Sequence, residues 1–276
     1  MHPYIDIGMV KIPTYITLFV VGYIIMIISA KRLATRYDYP KEEIVHISIY
    51  GAMGVIIGAK VMYFVTKLPE ILLNFESYVD GLKLNFIETL EYSFGGMVFY
   101  GGIIGSVVAA YLYCKRELLP FTPLFDIITP FVPFVHGMGR IGCFMSGCCY
   151  GREYNGIFSV QFPYNESIPG LDSVRRIPVQ IIEAGLNFIA AIVLLILAYK
   201  AVLKQGQLLG IYIVYYTIAR FFIEMLRGDE IRGVIYGIST SQIISIILLP
   251  IGIVLLCGKL TKIINVMSIR KNKKMI

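Results

Sequence analysis

Residues 12–30 read IPTYITLFVVGYIIMIISA, nineteen positions without a charged side chain. A helix that crosses a bilayer needs about 20 mainly apolar residues, so this stretch decides the fold class: the chain enters a membrane. No basic start or small-residue cleavage site accompanies it, and it is expected to be a retained span rather than a cleaved signal. Six further apolar segments follow, at 44–66, 94–114, 122–145, 181–200, 208–226 and 237–258. The fourth is interrupted by Pro123, Pro130 and Pro133. Broken helices at membrane depth are tolerated where the freed backbone lines a protein-enclosed cavity, so a site is expected there.

Composition agrees with this reading. Of 276 residues, 57% are hydrophobic and 16% charged, where a soluble domain carries about 25% charged residues. Mean hydropathy is +0.73. The expectation is an all-α polytopic membrane protein of about seven transmembrane helices, forming one domain over residues 1–276. Segments 67–93 and 146–180 are candidates for a cap on the outer side.

The formal net charge is +7, and its placement is a topology signal. Lys31, Arg32, Arg36 and Lys41 follow the first segment, Lys115 and Arg116 the third, Lys200 and Lys204 the fifth. Six more basic residues lie in the tail between Lys259 and Lys274, so fourteen of the 25 Lys and Arg share one face of a seven-span chain. The positive-inside rule makes that face cytoplasmic. The 67–93 loop holds five acids against Lys67 and Lys83. The amino terminus is therefore expected outside and the carboxyl terminus in the cytoplasm. The tail reads as an anchor to anionic lipid, and no nucleic-acid partner is expected.

Some basic residues remain outside this scheme, three arginines among them. Arg140, Arg220 and Arg227 sit near the outer ends of apolar segments, where a charge is costly and usually marks a site or an ion pair. In RFFIEMLRGDE, Arg220, Glu224 and Arg227 follow i, i+4, i+7 spacing, which places them on one face of a helix. Glu224 can neutralise one arginine, so either an ion pair or a site for an anionic group fits. A surplus of about two positive charges favours a lipid phosphate, whose oxygens match the planar guanidinium fork. In GRIGCFMSGCCYGRE (139–153), His136, Arg140, Cys143 and Gly147 fall on one face if the segment is helical. His136 is a proton carrier or a hydrogen-bonded core residue.

The five cysteines are Cys114, Cys143, Cys148, Cys149 and Cys257. An odd number with three crowded together is no secreted disulfide framework. The spacing C-x4-C-C lacks paired C-x2-C motifs, and adjacent cysteines rarely point at one ion, so no metal is expected. Packing is favoured, with redox or nucleophilic chemistry as the alternative. Glu183 falls early in its helix, where the helix dipole favours a carboxylate, and a functional role is the alternative reading.

Several segments together resemble the bacterial prolipoprotein diacylglyceryl transferase family. They are YITLFVVGY, GAMGVIIGAKVMYF, GGMVFYGGIIG, FDIITPFVPF with GRIG, PVQIIEA and RFFIEMLR, in family order. The resemblance implies a seven-span enzyme of the bacterial plasma membrane that uses no cofactor. It would take the diacylglyceryl group from phosphatidylglycerol, place it on the lipobox cysteine of a prolipoprotein and release glycerol phosphate. Arg140 and Arg220 match the family's essential arginines; Tyr15, Gly151, Gln180, Glu183, Glu224 and Arg227 match further positions. Three positions depart from the family pattern: Tyr100 stands for a histidine, Cys143 for an asparagine and Cys148 for a glutamate. Tyr100 or His136 is then the base that deprotonates the acceptor thiol. The alternatives are a related phospholipid-dependent transferase with another acceptor or thiol chemistry, and a non-catalytic lipid-binding or transport protein.

Overall fold

The computed structural model describes residues 2–8, 10–164, 170–228, 234–235 and 238–258. Helix α1 (Thr14–Ala34) shows the logic of the fold. It buries Gly22, Met26, Ala30, Leu33 and Ala34, while Ile16, Ile24 and Ile28 stay half exposed. Small residues inside and large aliphatic residues outside invert the pattern of a water-soluble helix. That arrangement suits a hydrocarbon solvent, in which close packing rather than apolar burial drives helix association. Ile57 and Ile192 are likewise about 60% exposed.

Ten helices are described. After α1 come α2 (Glu43–Leu73), α3 (Phe75–Leu84), α4 (Phe86–Phe94) and α5 (Phe99–Arg116). Then follow α6 (Thr122–Ile128), α7 (Phe131–Ser146), α8 (Val179–Lys200), α9 (Gln207–Glu224) and α10 (Thr240–Leu256). Helices α1, α2 and α8 are long and apolar enough to cross a membrane; two bent pairs, α4 with α5 (83°) and α6 with α7 (43°), raise the number to five. Helix α10 is apolar but shorter. The protein is mostly helical and polytopic. Strand is confined, among the described residues, to three two-stranded antiparallel pairs and isolated bridges.

The break expected in the fourth segment falls at residues 129–130. Pro130 caps α7, and Pro133 occupies its first turn, where a missing N–H leaves no hydrogen bond unmade. Pro69, by contrast, lies inside α2 without ending it, so this helix runs past the expected boundary at 66.

The chain divides into two compact units, Met1–Tyr39 with Thr122–Ile276, and Pro40–Phe121. In the second, α2 and α5 cross at glycines. A Cβ on Gly105 would strike the carbonyl oxygen of Gly54, and one on Gly58 that of Gly101. In the first, α1 packs on α7, α7 on α8 and α9 on α10. Two polar caps fix helix starts there. Ser239 and Gln242 form a capping box at α10. Both carboxylate oxygens of Asp126 accept from Gly206 N, at 3.1 and 3.0 Å, where α9 begins. The 67–93 segment is the end of α2 with α3 and α4, while 146–180 carries the Val160–Gln161/Arg175–Arg176 pair. The basic tail from Lys259, on which much of the orientation argument rests, lies outside the described residues.

Candidate active site

Helices α7, α8 and α9 of the first unit bring their ionisable side chains to one buried point. Glu183 of α8 is its hub, 1% exposed. Its Oε2 pairs with Arg140 Nε of α7 at 3.1 Å and Arg220 Nη1 of α9 at 3.4 Å. His136, one turn before Arg140, places Nε2 3.5 Å from Glu183 Oε1. That same Nε2 accepts from Arg140 Nε at 3.3 Å, so its lone pair is engaged. The His136 ring stands edge-on to Tyr216, with centroids 5.5 Å apart. Arg220 also reaches Glu224 Oε2 at 2.8 Å, one turn on, and donates to Ser241 Oγ at 3.1 Å.

This geometry bears on two readings. Glu183 is the fifth residue of α8, beyond the first turn that senses the helix dipole most strongly. It is a second carboxylate for the arginines, so the positive surplus is smaller than Glu224 alone implies. Arg227 does not continue the α9 face. The helix ends at Glu224, its last turn tightens as Leu226 N donates to Ile223 O, and Arg227 forms a β-bridge with Gly151. Nearby backbone bonds, Arg152 N to Leu226 O and Gly228 N to Tyr150 O, capture the chain.

Gly151 admits the close approach of the backbone at Ile177. A Cβ there would lie 2.5 Å from the Ile177 carbonyl oxygen. Gln180 is fully buried; its Nε2 donates to Cys148 O at 2.7 Å, and its Oε1 has no hydrogen-bond partner among the described residues. Tyr15 lies against α7, where a Cβ on Gly142 would meet its Cα at 2.9 Å, and within electrostatic range of Arg140 and Cys143. Tyr100 belongs to the second unit, in the first turn of α5, its ring edge-on to Phe99.

Cys143 lies in the last turn of α7, beside the turn that holds Cys148 and Cys149, and the three sulfur atoms lie within 4.8 Å of one another. All are free thiols. The three thiols interact with one another, and the Arg140 and Arg227 charges lie within electrostatic range of Cys149. Sequence reasoning missed Ser241 and Tyr216, which carry no motif, and left Glu183 between a dipole partner and a functional residue.

Fold and site together define a polytopic membrane protein with a buried arginine–carboxylate cluster among its helices. A sequence model of the prolipoprotein diacylglyceryl transferase family matches residues 3–258, and the chain belongs to that family. It is similar to the phosphatidylglycerol–prolipoprotein diacylglyceryl transferase of Clostridium tetani, 32% identical over 243 residues, covering 88% of this chain and 91% of the relative. The enzyme of that name from Rickettsia bellii is 33% identical over 270 residues, 93% of this chain and 96% of the relative. Clostridium perfringens has a transferase of this name numbered 2, 31% identical over 246 residues, with 89% and 90% covered.

Proposed function

We propose that this protein transfers the diacylglyceryl group of phosphatidylglycerol to the lipobox cysteine of a prolipoprotein. The observation that carries the reading is the convergence of Arg140 and Arg220 on one buried carboxylate, Glu183, among apolar helices. In the reaction the acceptor sulfur attacks the glycerol carbon next to the phosphate. A C–S bond forms, the C–O bond breaks, and its electron pair leaves on glycerol phosphate. The phosphodiester carries one negative charge and the departing monoester up to two. Fixed guanidinium groups therefore stabilise the transition state more than the bound lipid.

Glu183 and Glu224 orient the fork of Arg220, and Glu183 that of Arg140, so neither carboxylate need move a proton. Arg140, Arg220 and Arg227 against these two carboxylates sum to one positive charge, the complement of the donor phosphate. The buried Gln180 Oε1 is an acceptor suited to a headgroup hydroxyl. Tyr15, within electrostatic range of Arg140, and Gly151, bridged to Arg227, complete the donor site. The base that removes the thiol proton is Tyr100, from its place in GGMVFYGGIIG, or His136.

The same reading takes α1, α2, α5, α6 with α7, α8, α9 and α10 as seven spans in the bacterial plasma membrane. The amino terminus would lie outside and the tail in the cytoplasm. Support comes from basic residues in the last turns of α1 (Lys31, Arg32), α5 (Lys115, Arg116) and α8 (Lys200). The deciding experiment incubates the purified protein with phosphatidylglycerol labelled in its acyl chains and a lipobox peptide. Label on the peptide, lost when its cysteine is serine, supports the transferase; labelled lipid bound but never transferred would make it a carrier. Rescue of cells depleted of their own transferase tests the acceptor in vivo.

A further inference from the structure

Three thiols that only pack have no reason to face one another. Cys114 shows the packing role, buried at 1% exposure and outside any group of three such ligands among the described residues. Cys143, Cys148 and Cys149 differ. All three are half-buried and so reachable, and their sulfurs form a triangle with no side above 4.8 Å.

Adjacent cysteines ordinarily diverge, which argued against a shared ion from the sequence. The backbone removes that objection. Gly147 takes φ +74° and Cys149, unusually for a residue with a Cβ, φ +58°, so the chain coils back over the end of α7. The turn is also held in place. Cys148 N donates to Cys143 O at 3.1 Å, Gln180 Nε2 to Cys148 O at 2.7 Å, and Gly151 N to Ile177 O at 3.0 Å.

We infer that Cys143, Cys148 and Cys149 form a three-thiolate site for a thiophilic d10 cation of the Zn2+ and Cu+ class. Thiolates bonded at about 2.3 Å to a tetrahedral zinc stand about 3.8 Å apart. The observed triangle, with no side above 4.8 Å, is close to that size. Soft thiolate donors select such ions over magnesium or calcium. Three thiolates around Zn2+ carry one net negative charge and around Cu+ two, and Arg140 and Arg227 lie within electrostatic range of Cys149. The ion would staple the end of α7, which bears His136 and Arg140, to the turn leading to Gly151 and its bridge with Arg227. The inference is independent of the transferase reading.

The test uses the full chain purified in detergent under anaerobic, reducing conditions, stripped with a chelator and desalted. Zn2+ or Cu+ is added, excess removed, and metal per chain counted by mass spectrometry of the element. One ion per chain is expected. The double substitution Cys148→Ser, Cys149→Ser should weaken binding by more than the roughly 10–100-fold that loss of an outer-shell partner costs. A second readout needs no variant: N-ethylmaleimide should modify Cys143, Cys148 and Cys149 more slowly with metal present, and exposed Cys257 at an unchanged rate. No retained ion, undiminished binding by the double variant, or equal alkylation with and without metal would each overturn the site. So would a disulfide between two of these cysteines in alkylation-trapped protein that takes up no ion after reduction.

Discussion

Replacing Glu183 by glutamine removes one negative charge from the point where Arg140 and Arg220 meet while keeping the side-chain shape. The glutamine oxygen can still accept from Arg220 Nη1, now 3.4 Å from Oε2, and stays beside Arg140 Nε, now 3.1 Å away, whose one hydrogen is directed to His136. The loss is then the difference between ionic and neutral acceptors. A hydrogen bond to a charged group contributes about 1.5–3 kcal/mol and a neutral one about 0.5–1.5, so each contact weakens by about 1–1.5 kcal/mol. Two contacts give about 2–3 kcal/mol, or roughly 30- to 150-fold in kcat/KM if it falls on the transition state. Glu224→Gln weakens one ionic contact, the 2.8 Å pair with Arg220, and should cost about 5- to 12-fold on the same scale. The assay is transfer of labelled diacylglycerol to a lipobox peptide, with gel filtration and thermal unfolding in detergent to establish that each variant is folded. Glu183→Gln as active as the parent, or no worse than Glu224→Gln, would refute the view that Glu183 organises both arginines.

Three other expectations use the same measurements. Arg220→Lys keeps the charge but loses the fork that reaches Glu183, Glu224 and Ser241 together, so transfer should fall by about 100-fold or more, with Arg140→Lys similar; near-normal turnover in either would remove the phosphate clamp. Asp126→Ala frees the Gly206 N–H at the start of α9 and should lower stability by about 1–2 kcal/mol, read as a lower Tm, with kcat little changed. Gly105→Val drives a side chain into the Gly54 carbonyl; overpacking of about 1–3 kcal/mol or more should lower Tm markedly, and an unchanged Tm would mean the α2–α5 crossing is looser than described.

The helices were legible because a membrane solvent demands long apolar runs, and the segments at 12–30, 44–66 and 181–200 stand out by composition alone. Their partners were less so. When lipid faces one side and protein the other, both sides are apolar, and helical periodicity loses the contrast it has in water. Small residues carry what signal remains, as Gly54, Gly58, Gly101 and Gly105 do for α2 and α5. In the site, Arg140, Arg220 and Glu224 were readable one by one, because a charge in an apolar run is costly wherever it sits. The hub was not. Glu183 gains its role from arginines 43 and 37 residues away in the chain, and nothing local to PVQIIEA distinguishes that from a carboxylate at a helix start.

Two further features escaped the sequence for the same physical reason. The i, i+7 match of Arg220 and Arg227 is a statement about an unbroken helix, and α9 breaks because backbone groups of residues 150–152 compete for its last turn. The spacing C-x4-C-C argued for diverging thiols because it assumes ordinary backbone at Cys149, and φ +58° reverses that assumption. In both, spacing along the chain specified which residue types were available, while a distant or strained stretch of backbone decided which way they faced. The turn from Gly147 to Gly151 thus governs both outcomes. It aims two thiols at Cys143, and its neighbouring bonds detach Arg227 from the α9 face. A substitution that relaxes this turn, such as Gly151→Ala with its Cβ 2.5 Å from Ile177 O, should therefore disturb metal uptake and lipid transfer together. Loss of one with full retention of the other would show that the turn serves the two groups separately.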